Sequence, residues 1–141
     1  MNVDWDEMAN RYTQLASIER ISHTDLVAIK GILGRAASAL PKDTPVTLAW
    51  FEAALTDSPK KWFVAKVMER TNPVPRCLLD PLLKAALKEP NPSANRVFIT
   101  PCLRTFGPQI VRARICELAS AQEGDYRDGL ANALYWINRS V

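Results

Sequence analysis

The stretch PRCLLDPLLKAA, residues 75–86, returns in outline 33 residues later as PQIVRARICELA, residues 108–119. Pro75 aligns with Pro108, Leu78 with Val111, Leu82 with Ile115 and Ala86 with Ala119. The aligned positions fall at three- and four-residue steps, so on a helix they share one face. What repeats is therefore a burial pattern. Helix-start signals recur on nearly the same period. Asp25, Asp57, Asn91 and Asp125 each stand at the front of a helical pattern, at separations of 32, 34 and 34 residues. A fixed period of this size is expected of helix pairs stacked to share a continuous core.

The pattern predicts about eight helices in one all-α domain, 1–141. It places an N-terminal helix in 1–23, helix pairs in 24–56, 57–90 and 91–124, and a terminal helix in 125–141. Trp5, Met8, Tyr12 and Leu15 share a face of the first helix, with Asp4 and Glu7 as a capping arrangement. Ile29, Leu33, Ala36 and Leu40 form the stripe of the second. Gly31 and Gly34 interrupt it, at about 1 kcal/mol each relative to alanine. Close approach of a neighbouring helix is one use for that cost. Pro41 ends the segment. Thr44-Pro45 and Ser58-Pro59 open the third and fourth helices, with the proline in the first turn. Pro75 opens the fifth, and Pro81 is expected to bend it. Ser93 or Asn95 caps the sixth, Gly107-Pro108 marks a stop and restart, and Glu123-Gly124 ends the seventh. Asp125, with Asp128, opens the eighth. No strand signal competes.

Within this frame, Pro101-Cys102-Leu103 in a first helix resembles the proline-x-leucine element of HEAT-like (armadillo-type) helical repeats. Val111-Arg112, with Ile115-Cys116 and Leu118, resembles the valine-arginine element of the second helix. The resemblance covers about residues 24–141. It implies a short right-handed α-solenoid of stacked antiparallel helix pairs, whose second helices line a concave partner-binding face. Carried over, that face presents Arg76, Asp80 and Lys84 from one unit and Arg112 and Glu117 from the next. The tetratricopeptide pattern fits less well. A non-repetitive helical bundle is the other arrangement with the same burial pattern.

Net charge is +3, unevenly spread. Residues 1–56 hold seven acids and five bases, residues 57–141 eight acids and thirteen bases. The excess favours an acidic partner for the second part, against the plainer reading of a solvated surface. The same pair of readings applies to the four-step row Arg76, Asp80, Lys84, Lys88, where helical ion pairs are worth about 0.2–0.5 kcal/mol each. It applies also to Arg104, Arg112 and Arg114, whose guanidiniums suit carboxylates or phosphates. Trp50, Trp62 and Trp136 read as packing residues, while Tyr135 falls outside the buried stripe of its helix.

Cys77, Cys102 and Cys116 read as free, buried thiols, which fits a reducing compartment. With His23 as the only histidine, no metal-site spacing exists. Neither a signal peptide nor an apolar run of about 18 residues is visible, so a soluble, cytoplasmic protein is expected. Asp4, Asp6 and Glu7 read as terminal capping groups, and no glycine-rich phosphate loop is present. The expected function is a non-enzymatic protein-binding module, without cofactor or metal. Its groove holds one specific partner, as in an adaptor or immunity-type protein. Nucleic-acid binding through the basic surface of residues 57–141 is the alternative. An enzyme with its site in the groove ranks third.

Overall fold

Capping chemistry sets the starts of the first two helices. Asp4 accepts the Glu7 amide at 3.0 Å and begins α1, Trp5–Ala16. Ser22 and Asp25 bond each other's backbone amides at 3.1 and 3.3 Å, so α2, His23–Ala39, starts at Ser22 and Asp25 closes its first turn. The computed structural model describes residues 4–18, 20–40, 45–121 and 126–139. Among these, the remaining helices are α3 Pro45–Ala54, α4 Lys60–Glu69, α5 Leu79–Leu87, α6 Pro92–Phe106, α7 Pro108–Ala121 and α8 Arg127–Arg139. A 3₁₀ turn, Arg76–Leu78, precedes α5. The stop at Pro41, the Thr44 cap, the Glu123-Gly124 stop and the Asp125 start lie outside the described residues. None of the described helices is long and apolar enough to cross a membrane.

Contacts divide the chain into two units, Met1–Thr71 and Asn72–Val141. In the first, α1 packs on α2 and α4, α2 on α4, and α3 on α4. The filling is aromatic. The Trp5 ring meets Phe51 edge-on at 4.8 Å and stacks with Trp50 at 6.1 Å, while Tyr12 lies 5.7 Å from Phe63. The Trp5 indole N–H donates to Thr47 Oγ1 at 3.3 Å, which satisfies the polar end of a buried ring. Gly31 and Gly34 are not close-approach sites. A Cβ on Gly34 would meet nothing within 4 Å, and one on Gly31 only the Arg35 side chain of the same helix. Ser58 does not cap α4, which begins after Pro59 without a side-chain cap.

In the second unit, the 3₁₀ turn takes up the residues after Pro75, so Pro81 becomes the third residue of α5. First-turn amides have no intrahelical acceptor, and a proline there removes no bond. The expected bend is thus replaced by a change of helix type. Asn91, not Ser93 or Asn95, caps α6, accepting the amides of Ser93 and Ala94 at 3.0 and 3.3 Å. Asn95 is buried. Its amide donates to the Ala86 carbonyl at 2.6 Å and the Gly129 carbonyl at 3.3 Å, so α6 holds the end of α5 and the start of α8 together. At Gly129 the α8 backbone lies directly against the end of α5. A Cβ there would lie 2.6 Å from the Leu87 carbonyl carbon and 2.9 Å from the Ala86 oxygen. Of the three thiols expected to be buried, Cys102 is, whereas Cys77 is exposed and Cys116 half-buried.

These contacts overturn the HEAT-like solenoid. A solenoid unit meets only its neighbours in the stack. Here α8 packs on α5, α6 and α7, and every helix among α5 to α8 packs against all the others, a closed bundle. The fold is all-helical but is not a right-handed stack of antiparallel pairs. The supposed pair of residues 57–90 is itself split, since α4 belongs to one unit and α5 to the other. The physical reason lies in what the repeat records. The 33-residue match marks positions that must be buried, and a closed bundle buries them as well as a stack does. Gly129 lets α8 turn back onto α5, a contact that an open stack would not make.

Candidate functional site

The second unit carries the charge excess. Residues 72–141 hold nine bases, seven of them arginine, against six acids, whereas residues 1–71 hold nine of each. Part of that excess gathers over α6 and α8. Arg96, Thr100, Leu103 and Arg104 follow one another at three- and four-residue steps or less, so they share a face of α6. Together with Trp136 and Arg139 of α8 they line a cleft of about 470 Å³. These described lining residues include three guanidiniums, an indole and a leucine, and no carboxylate, histidine or thiol.

Local hydrogen bonds fix the α8 side of the cleft. The Trp136 indole N–H donates to the Pro92 carbonyl at 2.9 Å, and Asn132, one turn earlier, donates to the Pro90 carbonyl at 2.7 Å. Both acceptors lie at the start of α6, where Pro92 is the first helical residue. Arg96 then lies over the Trp136 ring, 4.7 Å from its centroid. Arg139 lies 5.4 Å from the Tyr135 ring centroid and donates to the Tyr135 hydroxyl at 3.0 Å. The Tyr135 and Trp136 rings meet edge to face at 4.9 Å. Thr100 donates its hydroxyl to the Arg96 carbonyl at 3.1 Å, so its proton is engaged within the helix. A guanidinium stacked on a ring keeps its in-plane N–H donors at the edge, suited to a carboxylate or phosphate.

The residues expected to line a groove are placed differently. Asp80 of α5 accepts two bonds from Arg114 of α7, at 2.8 and 2.7 Å, and Glu117 accepts a third at 2.8 Å. Arg114 thus gathers Asp80 and Glu117 on one guanidinium. Its bonds hold the Asp80 carboxyl below the usual carboxylate range, and Asp80 in turn raises Arg114. Arg112 is turned to α8, donating to Asn138 Oδ1 at 2.9 Å. Arg76, in the 3₁₀ turn, and Lys84, on α5, are exposed. Asp4, Asp6 and Glu7 line an open hollow, but all of its lining residues come from α1 or its cap. Asp6 is already engaged by the Trp50 indole at 3.0 Å and Lys60 at 3.1 Å, contacts that lower its pKa. The buried Cys102 thiol is pushed up to about 12 by desolvation, which makes it a packing group. Among the described residues, no three His, Cys, Asp or Glu side chains gather in a metal-holding group.

Sequence reasoning singled out Arg104, Tyr135 and Trp136 but missed Arg96 and Arg139. The Arg96–Thr100–Arg104 row, at four-residue steps, was the available signal for the first, and the Tyr135–Arg139 step for the second. No family model, no curated protein and no solved structure matches this chain.

Proposed function

We propose that this chain is a non-enzymatic protein-binding module whose second unit holds an acidic partner protein in the α6–α8 cleft. The observation that carries the reading is the pairing of arginines with aromatic rings, Arg96 on Trp136 and Arg139 on Tyr135. Arginine, tryptophan and tyrosine are the residue types enriched where protein interfaces concentrate their binding energy. Stacking also restrains the arginine side chains in advance, so less entropy is lost when a carboxylate arrives. The expected groove row takes a secondary part. Arg114 already engages Asp80 and Glu117, and Arg112 is turned to Asn138, which leaves Arg76 and Lys84 as its cations offered to a partner. The cytoplasm is the compartment this reading implies, because its three thiols then stay reduced.

Nucleic acid suits the cleft less well. Single-stranded binders offer an open ring face for bases to stack on. One face of Trp136 is taken by Arg96, its N–H by Pro92, and its neighbour Tyr135 meets it edge to face. The test places a photocrosslinking phenylalanine analogue at Leu103 in the full chain, expressed in its native cells. The expected result is one discrete protein adduct, lost in the Arg96→Glu/Arg104→Glu variant. A nucleic-acid adduct, or a smear unchanged by the charge reversal, would overturn the reading.

A further inference from the structure

We infer that the element recognised in this cleft is an acidic amphipathic helix of the partner, carrying two carboxylates about two turns apart with apolar side chains between them. The inference rests on the protein-binding reading above and narrows it to one kind of occupant.

Spacing is the first argument. Arg96 and Arg104 lie eight residues apart on α6, which at 1.5 Å per residue is about 12 Å along the axis. Glutamates at i and i+7 of an opposing helix span about 10.5 Å, close to the separation of the two arginines along α6. Positions i+3 and i+4 of that helix fall between them on the same face. They would meet Leu103 and the exposed part of the Trp136 ring, the apolar portion of the cleft lining.

Backbone chemistry is the second argument. An extended segment could also place two carboxylates 12 Å apart by about four residues. Laid in a cleft between helices, however, it finds no sheet edge to pair with, and its amides and carbonyls lose water without gaining partners. A helix brings its backbone bonds with it. The α6 and α8 walls then form the groove into which such a helix is laid.

Charge is the third. The described lining carries three arginines and no carboxylate, so an acidic helix is complementary and a basic one is excluded. Arg139, across the cleft on α8, selects for a third acid on the flank of the same helix.

The test uses the full chain and a fluorescein-labelled, helix-stapled peptide with glutamate at i and i+7 and leucine at i+3 and i+4. Anisotropy should show saturable binding, weakened about tenfold by Arg96→Glu/Arg104→Glu. A peptide with lysines replacing the two glutamates should prefer that variant to the natural chain. Circular dichroism checks that the variant keeps its helices, since both positions are exposed. Equal binding of a scrambled peptide of the same composition would overturn the inference, because charge alone would then suffice. So would absence of peptide binding. If the Leu103 crosslink still captures a protein, only the helical occupant falls and the protein-binding reading stands. If a DNA duplex displaces the peptide and takes the crosslink, both fall.

Discussion

The two units bury their helices with different materials. The first leans on rings: Trp5, Tyr12, Phe51 and Phe63 are all buried, Trp5 meets Phe51, Tyr12 meets Phe63, and Trp50 joins the two pairs by touching Phe51 and Phe63. The second is mainly aliphatic, with Leu78, Leu82, Leu83, Ile99, Ile115 and Ile137 fully buried and Phe98 as its buried ring. In the second unit two backbones also meet directly: at Gly129 the α8 backbone stands against the carbonyls that end α5. Asn95 completes that junction by donating to carbonyls from both helices.

The largest effect is expected in the ring-built unit. Phe63 is fully buried, and Phe63→Ala should cost about 4 kcal/mol, from lost transfer energy plus the cavity. Urea unfolding measures it. A cost below about 2 kcal/mol would mean that the ring cluster collapses around the gap, and the contrast between the units would weaken.

Next in size is a substitution that removes nothing. Gly129→Ala adds one methyl group where backbone atoms already stand, so α8 must move off α5. About 3 kcal/mol should be lost, at the upper end for overpacking. Amide exchange read helix by helix should place the loss in α5, α6 and α8. A neutral result would show that the junction is looser than the Asn95 bonds imply.

Gly34→Ala should change stability in the opposite direction. The α2 position has room for a Cβ and no positive φ, so alanine should raise stability by about 1 kcal/mol through helix propensity and a less flexible unfolded chain. Gly34 and Gly129 look alike in the sequence, each a glycine within a helical pattern. Opposite signs in one melting experiment would establish that they do different work.

That pair shows where sequence reading stops. Helices were legible because their signals are local: the Asp4 cap and the apolar spacing both lie within a few residues of what they control. The buried positions of the 3₁₀ turn, α5 and α7 were legible for the same reason, and Leu78, Leu82, Val111 and Ile115 are indeed fully buried. What covers them was not, because periodicity identifies a face and not its neighbour. The solenoid came from filling that gap with the nearest stack. The cleft was half visible. Arg104 and Trp136 stood out as residue types, yet their shared site depends on α8 docking at Pro90 and Pro92, a long-range contact that no local pattern encodes.

The smallest effect compares the carboxylate tie of each unit. Asp6 is held by Trp50 and Lys60, Asp80 by Arg114, and both carboxyls titrate below their ordinary range. Asp80 accepts both of its bonds from Arg114 as the charged carboxylate. Its folded pKa lies under the unfolded value of about 3.9, so the tie contributes stability above that pH and loses it as pH falls through the folded pKa. The Arg114 and Asp80 side chains are 40% and 37% exposed, and solvent screening keeps the contribution small. Asp80→Asn should therefore lower stability slightly at pH 7, and the gap between variant and natural chain should close toward about pH 2. Matched urea titrations at the two pH values measure it. A gap that stays constant would mean that the substituted amide differs from the carboxylate in packing or hydrogen bonding alone, and Arg114 would then be a surface charge that α5 and α7 do not need.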